Sequence, residues 1–299
     1  MPSWNEVLSE INGCTPPNPL DQVRRKYINS LHEKTGRNVI CYYSGWLQKP
    51  GSYQSSINDD DKNGLMATIH GLDKSIGLDL ILHTPGGNIA ATESIVNYLR
   101  SIFGTNIRAI IPQIAMSAGT MIACSCKEII MGKQSNLGPI DPQFNGIPAH
   151  GVLQEFKEAI EGIQKNPASI PLWQTIVGKY HPTFLTECQH AIDLSSTVVQ
   201  EWLSTGMFKD SPEAEKISEE IVKKLNNHND TKTHERHIHL KDAQDMGLNV
   251  TQLEDDQEFQ DLVLTVHHSY MHTLANSNAI KIIENQNRIA AIQLIRSTA

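Results

Sequence analysis

Three runs decide the fold: LDLILHTPGG (78–87), IRAIIPQIAMSAGTMIACSC (107–126) and EIIMGKQSNLGPIDPQ (128–143). The first reads as a buried strand ending in a glycine pair. The second reads as another buried strand, a sharp turn at Ser117 and a helix of small residues. The third reads as a short strand followed by a rigid Pro/Gly loop. LILH and AIIP are continuous apolar runs, the pattern of strands covered on both faces. Between them, Ile89, Ile95, Val96, Leu99 and Ile102 fall on one side of a helix predicted over 89–103. Strand, helix and strand in that order predict a parallel sheet with right-handed crossovers.

Upstream, residues 1–20 end in the Pro-rich TPPNPL. A helix is predicted over 21–36, with Asp21 as cap and Gly36 as stop. NVICYYSGW (38–46) reads as a strand, 47–61 as an exposed loop and 63–75 as a helix. Downstream, helices are predicted over 150–165, 182–204 and 211–226, then a polar loop over 226–237. Residues 238–250 read as a short strand, a helix closed by Gly247 and a turn. Helices over 254–275 and 277–296 close the chain. The last carries a continuous apolar stripe suited to packing on another subunit.

With 299 residues, 39% of them hydrophobic, the chain has enough apolar material for a large core. The net charge is −8. No basic stripe with interleaved aromatics is present, so nucleic acid is not an expected partner. Five cysteines form no regular framework, and Cys124 and Cys126 point to different faces of a predicted helix. A reducing cytoplasm is the expected setting. MPSWNEVLSEINGC lacks the basic and apolar regions of a signal peptide. The most apolar window, 107–124, is broken by Arg108, Pro112 and Gln113 and falls short of the roughly 20 apolar residues of a membrane span.

Ser117 stands in A-M-S-A-G-T, after a strand and before a helix. On a tight strand-to-helix turn its oxygen is held outward, and Gly119 allows close approach. A serine there is either a nucleophile or simply a helix cap. Gly86 and Gly87 bear on that choice. In a parallel sheet consecutive strand ends lie side by side, which brings the glycines to Ser117. One N–H from Gly87 and one from Ala118 would then form a two-donor oxyanion hole, each donor worth about 3–4 kcal/mol. The plainer reading of Pro-Gly-Gly is a turn.

Taken together, H-T-P-G-G, A-M-S-A-G-T and L-G-P-I-D-P-Q resemble the Clp protease/crotonase superfamily. Within it they are most similar to the serine dehydrogenase proteinase family, grouped with signal peptide peptidase A. HLKDAQDMGLNV (239–250) resembles the D-A-x-x-x-G-L segment near the end of such domains. The resemblance implies an α/β fold, a Clp/crotonase-like spiral of β-β-α units with a helical C-terminal extension. It spans most of 63–250, the expected catalytic domain, and leaves outside it an arm with the first helix and strand at 1–62 and C-terminal helices at 251–299, which are the expected oligomerisation element. It also implies a serine peptidase with Ser117 as nucleophile and Gly86, Gly87 and Ala118 around the oxyanion.

The base differs among these relatives. Where the Clp subunit has its histidine, this chain has G-P-I-D-P-Q with Asp141, which is expected to cap a turn or line the substrate cleft. Signal-peptide-peptidase relatives place a lysine at a spacing that falls here on Lys157. A lysine base must be neutral, which requires burial, because its ordinary pKa is near 10.4. Val152, Leu153, Phe156 and Ile160 predict partial burial, while Glu155, Glu158 and Glu161 oppose a neutral amine. Lys133, His150 and His83 are the alternatives.

No cofactor is implied. Peptide or unfolded protein is the expected substrate, and trimer-based homo-oligomers are the expected assembly. The chain has no GxxxxGK[ST] loop, so any ATP use is expected from an unfoldase or adaptor partner. Two rival functions share the fold: acyl-CoA hydrolysis or isomerisation, and silent peptide binding along the sheet edge. His268 and His272 stand at i, i+4, but no HExxH or cysteine set accompanies them. With His234, His237, His239 and His267, they are expected to be solvated or capping residues, and no metal site is expected.

Overall fold

The computed structural model describes residues 4–144, 146–226 and 236–295. The parallel strands form where the apolar runs predict them: β1 (Asn38–Ser44), β2 (Leu78–His83), β3 (Ile107–Ile111) and β5 (Glu128–Met131). They belong to a seven-stranded sheet of order β10-β5-β3-β2-β1-β11-β12, in which β10 is Val250–Gln252, β11 Ala279–Asn285 and β12 Ala290–Leu294. The first five are parallel; β11 and β12 are antiparallel additions.

Alternation along the strands splits the core in two. Leu78, Leu80 and Leu82 face a layer that includes α3 (Asp60–Ile69), α4 (Ile89–Phe103) and α5 (Ala118–Cys124). Ile81, Ile110 and Ile130 face α2 (Pro19–Thr35) and α11 (Gln257–Ala275). After β3 the chain enters β4 (Ile114–Ala115), then α5, giving the expected β-β-α unit. β4 pairs with β6 (Asn136–Leu137), which pairs with β9 (Ile238–His239), in a separate small sheet. The hairpin β7 (Gln143–Phe144) and β8 (Ile147–Pro148) leads into a helical excursion: α6 (Ala149–Lys165), α7 (Ile170–Val177) and α8 (Phe184–Trp202). Then α9 (Ala214–Leu225), β9 and α10 (Leu240–Met246) return the chain to β10.

The helix expected over 277–296 is a β-hairpin instead. Its turn at 285–289 is closed by Asn285 N–H donating to Ile289 O, with Arg288 at φ 64°. β11 is buried on both faces and contains two charges, which hid its strand character. Each charge has a partner. Lys281 meets Asp61 at 2.7 Å, and Glu284 meets Arg24 at 2.5 Å with both side chains fully buried. Because β11 pairs with β1, the first and last expected segments of the chain meet inside one sheet. Two further differences are local. Asn18 in left-handed conformation and Pro19 start α2, while Asp21 sits in its first turn and pairs with Arg24. The N-terminal arm contains a helix, α1 (Trp4–Gly13), packed on α2 and α11.

No helix among the described residues is long and apolar enough to cross a membrane.

Candidate active site

The parallel strands end on one edge, where loops after β2 and β3 meet. Thr84 N–H donates to Ile114 O (3.2 Å), and Met116 N–H donates to Thr84 O (3.0 Å). This short parallel bridge lays T-P-G-G beside A-M-S-A-G. Gly119 makes it fit, because a Cβ there would lie 2.5 Å from the Thr84 methyl. Thr120 Oγ1 donates to Ala115 O (2.9 Å) and accepts from Gly138 N–H (2.9 Å), tying α5 to the L-G-P loop.

Ser117 has φ 51° and ψ −116°. For a residue with a Cβ this backbone costs of the order of 1–3 kcal/mol, and such strain concentrates at functional turns. It is the sharp strand-to-helix geometry that projects a serine oxygen away from both elements. Ser117 makes no side-chain cap bond, although Asn88 caps α4 by accepting from Ala91 N–H at 2.9 Å. Among the described residues its hydroxyl has no hydrogen-bond partner, so the plain capping reading does not describe it.

Gly86 abuts this serine. Its φ is 98°, and a Cβ on it would stand 2.7 Å from Ser117 Cβ and 3.1 Å from Ala118 N. Gly87 is held from behind by Ile57. Ile57 N–H donates to Gly86 O (2.8 Å) and Asn88 N–H donates to Ile57 O (2.9 Å). A Cβ on Gly87 would lie 2.3 Å from the Ile57 backbone. Because peptide groups alternate along an extended segment, the Gly87 N–H faces away from Ile57. Neither the Gly87 nor the Ala118 N–H has an acceptor among the described residues.

Among the described residues, none of the candidate bases hydrogen-bonds Ser117. Lys157 is exposed on α6, contrary to the burial expected from its neighbours. Val152 and Ala159 take the inward face of that helix, with Leu153 and Phe156 packed partly buried toward Cys188 and Ile192 of α8. Lys133 is exposed, its backbone N–H bonded to Glu254. His150 bonds Asn226 at 3.1 Å. Asp141 is 1% exposed, enclosed in the loop after Gly138.

His83 is fully buried on the opposite face of β2, against Trp46, Tyr43 and His267, with ring centroids 4.5, 5.4 and 5.2 Å away. Among the described residues, neither ring nitrogen has a hydrogen-bond partner. Desolvation, then the neighbouring His267, push its pKa well below the ordinary value. His267 itself is pushed down to about 3 by burial and by His268. His267 and His272 are thus buried, not solvated, and His272 Nε2 meets Trp4 O at 3.2 Å. His234 lies outside the described residues.

Sequence reasoning missed Ile57. Thirty positions from Gly87, in a polar stretch, it gives no local signal that it backs the glycine pair.

Comparison with known proteins covers nearly the whole chain. It matches the family model described as ClpP-like SDH-type serine proteinase over residues 20–288. Two uncharacterized proteins of Methanocaldococcus jannaschii are similar over shorter segments. One is 35% identical over 102 residues, which is 34% of this chain and 35% of the relative. The other is 37% identical over 100 residues, 33% of this chain and 34% of the relative. The match thus spans about a third of each relative's length. A solved structure, a ClpP1 mutant from Listeria monocytogenes, aligns over 77% of this chain and 99% of its own, with TM-score 0.37 and 11% identity. With the match running from α2 through the turn after β11, the chain belongs to the ClpP-like SDH-type serine proteinase family.

Proposed function

We propose that this chain is a serine peptidase in which Ser117 attacks the peptide carbonyl. The N–H groups of Gly87 and Ala118 receive the oxyanion, and Gly86 is the residue small enough to let that strand reach Ser117. Asp141, buried behind the turn, holds the wall of the substrate cleft. The observation that carries the reading is Ser117 itself: left-handed, uncapped, and in contact with Gly86.

Lys157 is the proposed proton acceptor. It is exposed on α6 and by itself makes no hydrogen bond to Ser117. Its place on the helical excursion makes it a base only when a neighbouring subunit or a bound peptide covers α6. This ties the proposed homo-oligomer to activity. Peptides or unfolded proteins are the proposed substrates, delivered directly or by an unfoldase or adaptor, in a reducing cytoplasm.

A fluorophosphonate probe tests this. The native chain is expected to label at one residue, and Ser117→Ala to abolish labelling. Labelling of Ser117→Ala equal to the native chain would overturn the assignment. The second reading is a peptide-binding scaffold without hydrolysis. It is favoured by one observation, that no candidate base hydrogen-bonds Ser117 among the described residues.

A further inference from the structure

Behind the glycine pair lies a buried polar cluster built from three distant parts of the chain. Register places Ser44 opposite Lys281 and Tyr42 opposite Ile283, so Tyr42, Ser44 and Lys281 share one face of β1 and β11. Asp61, in the first turn of α3, sits on that face, fully buried. Lys281 Nζ donates to Asp61 Oδ1 (2.7 Å), Asp61 Oδ2 (2.9 Å) and Ser56 O (2.8 Å). Tyr42 OH donates to Asp61 Oδ2 (2.7 Å), and so does Asn58 N–H (3.0 Å). Ser44 Oγ donates to Ser55 O (2.6 Å).

Three ties from this cluster end on residues 55, 56 and 58, which flank Ile57. Ile57 in turn makes the two bonds that hold Gly86 and Asn88. Ile57 itself is buried in the core, and the cluster fixes the polar residues on either side of it. The three N–H groups of an ammonium are all used here. Burial lowers the Lys281 pKa and the adjacent Asp61 carboxylate opposes that shift; it is the geometry, with the amine bonded to Asp61 and Ser56, that ties Lys281 to this cluster.

We infer that Tyr42, Asp61 and Lys281 are positioning residues, which lock the 55–58 segment against Gly86–Asn88 and so aim the Gly87 N–H at the substrate side of the strand. The inference rests on the proposed roles of Ser117 and Gly87. It goes beyond them in assigning a catalytic effect to residues that touch neither substrate nor nucleophile.

Removing Lys281 alone strands a buried carboxylate and risks unfolding. The test therefore uses the paired variant Lys281→Met with Asp61→Leu, which removes both charges, and the milder Tyr42→Phe, which removes one hydroxyl. Two readouts are taken on the full chain. Amide hydrogen exchange is expected to quicken at Ile57 and Asn88 in the paired variant, with β2 and β3 amides as protected as in the native chain. The second-order rate constant of fluorophosphonate labelling is expected to fall about 10- to 100-fold for the pair, less than the about 10²–10³-fold of an oxyanion donor lost outright. A smaller fall is expected for Tyr42→Phe, with its melting temperature nearly unchanged. Native exchange at Ile57 and Asn88, or native labelling rates despite faster exchange there, would overturn the inference. If the paired variant unfolds, an unchanged labelling rate in Tyr42→Phe overturns it and a reduced one supports it. If the native chain never labels but Ile57 and Asn88 loosen as expected, the nucleophile reading fails and the mechanical role of the cluster stands.

Discussion

Gly86 and Ser117 touch at the level of the backbone: a Cβ on Gly86 would stand 2.7 Å from the Cβ of Ser117 and 2.8 Å from Met116 O. Two strand-end loops, separated in sequence by helix α4 and strand β3, are packed so closely that only glycine fits between them. Gly86→Ala must therefore push the two loops apart, and it also forces a Cβ onto φ 98°. The expected result is a loss of labelling of about 10²–10³-fold, as for a lost oxyanion donor. The expected loss of stability is smaller, about 1–3 kcal/mol. Labelling kinetics and urea unfolding on the same sample check this; an Ala variant that labels at the native rate contradicts it.

Ser117 carries strain that its chemistry would explain. Its φ of 51° and ψ of −116° suit glycine far better than serine. Ser117→Gly is expected to be more stable than Ser117→Ala by roughly 1 kcal/mol, despite the larger unfolded-state entropy of glycine. Both variants are expected to be inactive. Thermal melting of the pair decides the matter, and a glycine variant less stable than the alanine one would show that the turn is unstrained.

Much of this turn was legible from local chemistry. The buried runs around Leu80 and Ile110 announced parallel strands, and T-P-G-G and A-M-S-A-G marked where they end. What escaped was set by distant partners. β11 looked helical because Lys281 and Glu284 interrupt its apolar residues, and it takes partners brought by other elements, Asp61 for Lys281 and Arg24 and Arg25 for Glu284, to make those charges tolerable in a buried strand. Ile57 escaped for the same reason: its importance lies in whom it pairs with. The burial of Lys157 was misjudged because its helical neighbours Leu153 and Ile160 are themselves half-buried and exposed, respectively, while α6 turns Val152 and Ala159 inward.

The buried histidines predict an acid-sensitive fold. His83 and His267 are both held well below their ordinary pKa, His267 at about 3, chiefly by desolvation. The unfolded chain binds their protons near pH 6.5, whereas the folded chain does not until far lower pH. Their contribution is thus complete above about pH 6.5 and falls as pH drops, by about 1.4 kcal/mol per pH unit for each histidine. His83→Phe, which keeps an aromatic ring against Trp46 and Tyr43, is expected to flatten this dependence. Urea unfolding at about pH 7.5 and about pH 5 checks it. Equal slopes for the native and His83→Phe chains would mean that His83 is solvated in the fold.

The exposure of Lys157 makes a prediction about assembly. If this lysine serves Ser117 only when covered, labelling depends on assembly. In the single chain, labelling is expected to be slow. In an assembled fraction it is expected to be faster by about 10²–10⁴-fold, the scale of a positioned general base. Lys157→Ala is expected to slow only the assembled fraction. Size-separated fractions labelled side by side give the comparison directly. One shared labelling rate, unaffected by Lys157→Ala, would remove Lys157 from the mechanism and point the search for the base toward Lys133 or His150, since burial on the far face of β2 keeps His83 from the serine.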